Sequence, residues 1–392
     1  MCELIIFASQ GNKKADGGVS SITKIIDKID KKTLVVADRE TKYSEHWKGE
    51  NCSVRKYPFG DYLNTNGVSR LKRIAESNHY AYRLACNAKP AVAHTNDRAA
   101  FRGCGIGVKL AGVPVINNVR DTQPRMRGIR LVKWLVELAL SDRVLTLSKD
   151  MRRRWKETLG IDAFPTSMRR SFSRKMTYIY SIVDPDRFHP PDEKHEGVRE
   201  ELGISGAPLL AYVASFHPKK KQRAFIESTL PGIVERNPGT VIAFVGDFVP
   251  SQNDHAHACR KAVERLGLDG HIHFVGYRDD VERWYQAADL TVLASEKEGL
   301  ARSMIESLAC GNPVVSFDVA SAREILEEHD CGRVVPQGNY HQFREAITEL
   351  WENDALRMRM GKRGMATARH LFDPETVARQ YEALCEEVAT EG

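Results

Sequence analysis

Two glutamates separated by seven residues bound the stretch EGLARSMIE, Glu298 to Glu306. Glu298 sits just before a helix that the pattern starts near Ala301, and Glu306 falls in its second turn. Gly311 stops that helix and PVVSFD then reads as a strand. The free amides of a helix start offer a seat for a phosphate-sized anion. A nucleoside diphosphate could therefore rest on Gly299, Leu300, Ala301, Arg302 and Ser303. Glu306 could then accept hydrogen bonds from ribose hydroxyls, and Glu298 from hydroxyls of a transferred sugar. The plainer alternative makes Glu306 a solvated helix residue and Glu298 a helix cap, and spacing alone does not choose between them.

Other candidates lie elsewhere in the chain. In YVASFHPKKKQRAFIES a strand runs through a loop into a helix, and Lys219, Lys220 and Lys221 fall where open α/β sheets bind ligands. A lysine there can neutralise a diphosphate; otherwise the run is a solvated face. Gly17-Gly18 in ADGGVSSI would let the backbone approach a ligand at the first strand-to-helix turn, although a Gly pair by itself usually marks only a turn. Asp184-Pro185-Asp186 has the form of a metal-nucleotide D-x-D string, but its place at a domain junction makes a structural role the better reading. His94 ends a strand and either points into a cleft or serves the core.

Two basic stretches complete the set. PRMRGIRLVKWLVELAL (124–140) puts Arg130, Lys133 and Glu137 on one helical face, with Trp134, Leu135, Leu138 and Leu140 free to pack elsewhere. It is either a core helix with a wet face or a helix that meets an anionic membrane through Arg125, Arg127, Arg130 and Lys133. AFPTSMRRSFSRKM (163–176) reads as an irregular connection. It is either a disordered surface loop or an anionic contact through Arg169, Arg170, Arg174 and Lys175.

Parallel sheets with crossover helices would position these residues. Strands are predicted at 3–9, 33–38, 53–59, 91–96, 114–119, 143–148 and 176–181, and again at 209–215, 240–246, 271–276, 290–295, 313–318 and 332–336. Beyond Pro336 the pattern is helical, with a break at Asp373-Pro374. The expected fold class is α/β, with two Rossmann-like doubly wound domains that meet in IVDPDRFHPPDEKHEG: residues 1–183, 184–373 and a last helix 374–392.

Composition narrows the classes further. The 392 residues are 42% hydrophobic and 28% charged with 28 Gly and 16 Pro, which excludes collagenous, fibrous and disordered chains. No apolar run approaches a membrane span and MCELIIFASQ lacks the features of a signal peptide, so a cytoplasmic place is expected. The eight cysteines are scattered without a Cys-x-x-Cys pair, so reduced thiols and no structural metal are expected. The net charge of +6 divides into +17 for residues 1–183 and −11 for 184–392. A basic first half suits an anionic surface, a phosphorylated lipid carrier or an acidic glycan; no nucleic-acid-binding motif accompanies it.

Taken together these residues resemble the retaining, GT-B-fold glycosyltransferases of family 4 over nearly the whole chain. The strongest match is EGLARSMIE followed by ACGNPVV. IYSIVDPDRF, FVGYRDDVERWYQAADLTVLAS and the closing region from CGRVVPQGN through RMGKRGMATARHLFDPETVARQYEAL add to it. The resemblance implies two facing Rossmann-like domains with the active site between them, and a last helix that crosses back to the first. It implies a nucleotide-sugar substrate, UDP- or GDP-linked, and no metal or other cofactor. Glu306 would bind ribose, Glu298 the transferred sugar and Lys220 the diphosphate. The amides from Gly299 to Ser303 would support sugar and phosphate, Tyr277 or Arg278 would lie near the base, and Gly18 near the phosphate. Bacterial surface-polysaccharide assembly at the inner membrane face, with a glycan or lipid-linked acceptor, is the expected setting.

Two positions depart from that pattern. Ser215 stands where the family often has Arg before the lysine, and Arg120-Asp121 where it has His-Asp. Arg120 would then bind a carboxylate or phosphate, and His94, Arg120 and Asp121 become candidates for contact with acceptor or transferred sugar. A GT-B nucleotide-sugar epimerase and a non-catalytic partner subunit are the rival readings.

Overall fold

A computed structural model describes residues 3–9, 17–39, 47–48, 50–123, 126–191, 196–204 and 206–391. It divides into two units, Met1–Ile182 with Pro374–Gly392, and Val183–Asp373.

The first unit is built on a seven-stranded parallel sheet. Its strands are β1 (Leu4–Ala8), β2 (Thr33–Ala37), β3 (Cys52–Lys56), β4 (Val92–Thr95), β5 (Val115–Asn118), β6 (Arg143–Thr146) and β7 (Met176–Tyr178), in the order β3-β2-β1-β4-β5-β6-β7. The second has six parallel strands: β8 (Leu209–Val213), β9 (Val241–Val245), β10 (Ile272–Gly276), β11 (Leu290–Leu293), β12 (Val314–Phe317) and β13 (Gly332–Val335), in the order β10-β9-β8-β11-β12-β13. Apart from the edge strand β3, whose Ser53, Arg55 and Lys56 are exposed, these are the apolar runs read from the sequence, nearly continuous because helices cover both faces of each sheet.

Alternation along one strand shows the layering. Leu210 and Tyr212 of β8 pack with Phe225, Phe244, Ile347 and Leu350 on one face. Leu209 and Ala211 pack with Val198, Trp284 and Ala287 on the other. In the first unit the helix Pro374–Glu391 lays Val377, Tyr381, Leu384 and Val388 against the core that holds Leu4, Ile6 and Ile116. The strand order reverses between β1 and β4 and between β8 and β11. In open α/β sheets the crevice beyond the carboxyl ends at such points is where ligands bind.

Two sequence-based expectations are corrected. Residues 163–176 do not form a loop, because Thr166–Lys175 is a helix opened by Pro165. The Phe164 and Phe172 rings meet edge to face, and Lys175 Nζ donates to the Ala139 and Ser141 carbonyls at 2.7 and 2.8 Å. The helix escaped the sequence reading because it buries no residue, so it shows no apolar stripe. The second correction concerns Glu137 in the helix Gly128–Leu140, which is buried and not on the wet face. It accepts from Arg98 Nε at 2.9 Å and Arg102 Nε at 2.6 Å, and the Arg98 guanidinium lies 3.3 Å from the Trp134 ring centroid. Two arginines far away in sequence thus compensate the buried carboxylate. Arg130 and Lys133 are exposed as expected, while Arg125 lies outside the described residues.

Candidate functional site

Two loops meet at the β8/β11 switch point. The first leaves β8 through Ala214 and Ser215. Gly246, just past β9, is packed so closely that a Cβ on it would sit 2.0 Å from the Ala214 carbonyl oxygen. Asp247 Oδ1 accepts from the Phe216 amide at 3.0 Å, and Asn253 Nδ2 donates to the Phe216 carbonyl at 2.8 Å. Buried Gln222 donates to the Ser215 carbonyl at 2.8 Å. The tight turn Pro218–Lys220 follows, with the Tyr212 hydroxyl donating to the Lys220 carbonyl, and Lys221 takes a left-handed backbone at φ 56°. The lysines therefore stand on a loop that buried groups hold in place.

The second loop leaves β11 and enters the helix Arg302–Ala309, whose start has no side-chain cap. The Glu296 amide donates to the Lys219 carbonyl at 2.8 Å, which ties the loops together. Lys220 Nζ lies 2.5 Å from Glu298 Oε1, and Lys221 Nζ lies 2.6 Å from Glu296 Oε2. The Lys221 hydrogen bond and charge hold the Glu296 carboxyl below its ordinary range. Gly299 is buried, with its carbonyl accepting from Ser321 Oγ at 2.8 Å. Leu300 and Ala301 are buried and Ser303 is half-buried at the first turn.

Glu306 is 8% exposed, so the solvated-helix alternative fails. Arg302 reaches one turn forward to Glu306 Oε1 at 2.7 Å through Nη2, and the Tyr285 hydroxyl approaches Oε2 at 3.4 Å. Burial and the nearby Glu306 charge keep the Tyr285 hydroxyl well above its ordinary pKa, so it stays a proton donor. The sequence reading assigned Arg302 only by its amide and missed Tyr285. An Arg–Glu pair four residues apart on a helix was the available signal for the first; nothing local points to the second.

The remaining candidates are more scattered. Tyr277 and Arg278 follow β10. Tyr277 is half-exposed with its hydroxyl on Asp279 at 2.8 Å, and Arg278 pairs with Glu201 and lies 5.1 Å from the Trp284 ring centroid. In the first unit Gly18 stands in the first turn of the helix Gly17–Ile26, while residues 10–16 lie outside the described residues. Arg120 follows β5, with Nη1 3.3 Å from Asn96 Oδ1 beyond β4, so both stand beside the β1/β4 switch point. Asp121 is exposed; Gln123 Nε2 lies 3.1 Å from its Oδ1, and its carbonyl accepts from Trp155 Nε1 at 3.0 Å.

The cleft-facing option for His94 is corrected, since its ring is fully buried with Nδ1 3.0 Å from the Tyr381 hydroxyl. Burial first, and then the Arg120 charge, pushes its pKa down to about 3, so the imidazole is neutral. Asp184 ties a turn, its Oδ1 accepting from the Asp186 amide at 3.2 Å and its carbonyl from Phe188 at 2.8 Å. Among the described residues there is no group of three or more His, Cys, Asp and Glu that could hold a metal ion, and no helix is long and apolar enough to cross a membrane. The described cysteines, Cys52, Cys86, Cys104, Cys259, Cys310, Cys331 and Cys385, are all free thiols.

Two doubly wound parallel-sheet units are the architecture of the GT-B fold. Residues 195–367, within the second unit, match the family model for glycosyl transferases group 1. Over 175 residues it is 29% identical to the lipopolysaccharide core biosynthesis glycosyltransferase LpsE of Rhizobium meliloti, covering 45% of this chain and 48% of that one. The chain spans about half the length of the curated relatives it matches. Among solved structures, Anabaena HepE in complex with UDP and glucose matches 98% of this chain and 100% of its own with a TM-score of 0.79 at 18% identity. A glycosyltransferase from Rickettsia africae matches all of both chains with a TM-score of 0.81 at 16% identity. Identities this low establish the shared fold.

Proposed function

We propose that this protein moves a sugar from a nucleotide-sugar, UDP- or GDP-linked, to a glycan or lipid-linked acceptor in bacterial surface-polysaccharide synthesis, with retention at the anomeric carbon. The observation that carries this reading is the Lys220–Glu298 pair, an ammonium and a carboxylate 2.5 Å apart where two pinned loops meet. The bond from the anomeric carbon to the diphosphate oxygen breaks as negative charge builds on the leaving group. Lys220 and the uncapped start of Arg302–Ala309 present preorganised positive potential to that charge. The acceptor hydroxyl attacks from the face the diphosphate leaves, and a leaving phosphate oxygen takes its proton. Glu298 positions sugar hydroxyls and Glu306 the ribose, with Arg302 and Tyr285 holding the Glu306 carboxylate in place. The charge stabilisation is assigned to protein groups, so the transfer is proposed to be independent of metal. The similar protein LpsE, named for lipopolysaccharide core synthesis, supports the polysaccharide setting.

A thermal-shift screen against UDP-, GDP- and ADP-sugars tests this. One nucleotide class at about 100 times its Kd is expected to stabilise the protein by about 2.7 kcal/mol, and Glu306→Ala to remove the shift. Stabilisation by none of them would favour a partner subunit without sugar-donor chemistry. Release of a modified sugar without any acceptor would instead favour the epimerase, and an inverted product anomer by NMR would end the retaining assignment.

The same reading places the protein at an anionic membrane. The helix Gly128–Leu140 exposes Ile129, Val132 and Val136 at 72%, 58% and 50%, beside exposed Arg127, Arg130 and Lys133. An apolar strip flanked by cations suits an anionic lipid interface. Flotation is expected to recover the protein with anionic liposomes and not with neutral ones, and Val132→Asp with Val136→Asp to abolish recovery. Equal recovery from both lipids would remove the assignment.

A further inference from the structure

The helix Thr166–Lys175, whose basic residues the sugar-transfer reading does not use, forms one wall of a pocket in the first unit. Asp142, Arg143, Val388 and Glu391 complete the lining with Ser167, Arg170, Ser171, Arg174 and Lys175, around a cavity of about 390 Å³. Ser167, Arg170, Ser171 and Arg174 are spaced by three, one and three residues, which puts two guanidinium stems and two hydroxyls on a single helix face.

The floor of the pocket is internally neutralised and fixed. Arg143 Nη2 bonds Glu387 at 2.6 Å and Glu391 at 2.7 Å, Lys175 donates to two carbonyls, and Lys109 takes Asp142 at 2.6 Å. Arg170 and Arg174 are different. Both are exposed, and among the described residues neither has an ion pair or a hydrogen bond. Two like charges four residues apart on one helix repel each other, with the Arg143 and Lys175 charges close behind them. Those four cations face only Asp142 and Glu391 within the lining, and each of these already has a cation of its own.

We propose that this pocket binds a phosphate group, of a phosphate ester or diphosphate, between the forks of Arg170 and Arg174 with the Ser167 and Ser171 hydroxyls donating to it. A guanidinium offers paired N–H donors matched to phosphate oxygens, and an anion between the two arginines removes their repulsion. Burial is the main cause that lowers the Lys175 pKa; Asp142 opposes it, and the Lys109 and Arg143 charges add to it. The site lies wholly within the first unit and is independent of the sugar-donor loops.

Inorganic pyrophosphate is the soluble probe, titrated calorimetrically into wild-type and Lys220→Ala protein. Binding that survives Lys220→Ala, weakens as salt is added, and falls at least about tenfold in Arg170→Ala/Arg174→Ala is the expected result. Ser171→Asp, which puts a carboxylate into the pocket, is expected to do the same, and circular dichroism checks that each variant is folded. A second arm measures co-sedimentation with phosphatidylcholine vesicles with and without phosphatidic acid. Recovery on phosphatidic acid that both pocket variants abolish identifies a lipid headgroup as the phosphate source. Pyrophosphate binding lost in those variants with vesicle recovery unchanged identifies a soluble one. The proposal is overturned if neither pyrophosphate nor phosphatidic acid binding responds to Arg170→Ala/Arg174→Ala or to Ser171→Asp.

Discussion

Lys220→Ala is expected to lower kcat for sugar transfer by about 10² to 10³, or ~2.7–4 kcal/mol, the usual effect of removing one preorganised group that meets developing negative charge. The loop leaves little room for compensation. Lys219 accepts the Glu296 amide through its carbonyl, which fixes its backbone, and Lys221 Nζ is committed to Glu296 at 2.6 Å, so Lys221 cannot swing into the vacated place without breaking a loop contact. Ser215, where the resemblance implies a second cation, supplies no charge. Truncation also leaves Glu298, with a side chain only 14% exposed, without its ion-pair partner 2.5 Å away. A carboxylate freed in this way repels the incoming diphosphate, so KM for the nucleotide-sugar should rise together with the fall in kcat. Steady-state rates on the substrate found by the thermal-shift screen check both numbers. A kcat within tenfold of wild type would show that the leaving charge is stabilised by the helix start and not by Lys220.

Which parts of this site could be read from residues alone follows from what each residue depends on. The strands were readable because a parallel strand covered on both faces has to be apolar throughout, as LLAYV and VIAFV are. The relation of Glu298 to Glu306 was readable because one helix start and one turn set it. Lys220 against Glu298 was not readable as a distance, because 78 residues separate them and only the β8–β11 pairing brings their loops together. His94 was ambiguous for the same reason: whether the end of β4 faces solvent is decided by Tyr381, almost at the other end of the chain. Glu137 looked wet because the two arginines that compensate it lie 39 and 35 residues upstream. In each of these cases the local pattern is sound and a partner from another element decides the outcome.

The largest stability effect is expected at a residue that no motif marks. Arg199 is 9% exposed, and its guanidinium donates to the Ala207 carbonyl at 2.7 Å, the Ala287 carbonyl at 2.9 Å and Asp289 Oδ2 at 2.8 Å. Asp289 Oδ2 also accepts from the Leu209 amide at 2.9 Å, and the Asp289 amide returns a bond to the Leu209 carbonyl at 2.9 Å. The cluster thus locks the amino ends of β8 and β11 side by side, and their carboxyl ends carry the two loops of the site. Removing one member of a buried ion pair leaves an uncompensated charge, which costs about 3–5 kcal/mol; here Arg199→Ala also strips two carbonyls of their donor. Arg199→Lys should recover only part of the loss, since a point-charge ammonium cannot span three acceptors that a planar fork reaches together. Urea unfolding of the second unit's transition measures the change, and nucleotide-sugar stabilisation is expected to weaken in parallel as the strand ends loosen. A loss below about 1 kcal/mol would place the pair with surface bridges of little weight, and the alignment of β8 with β11 would then rest on the apolar packing of Leu209, Ala211 and Trp284 alone.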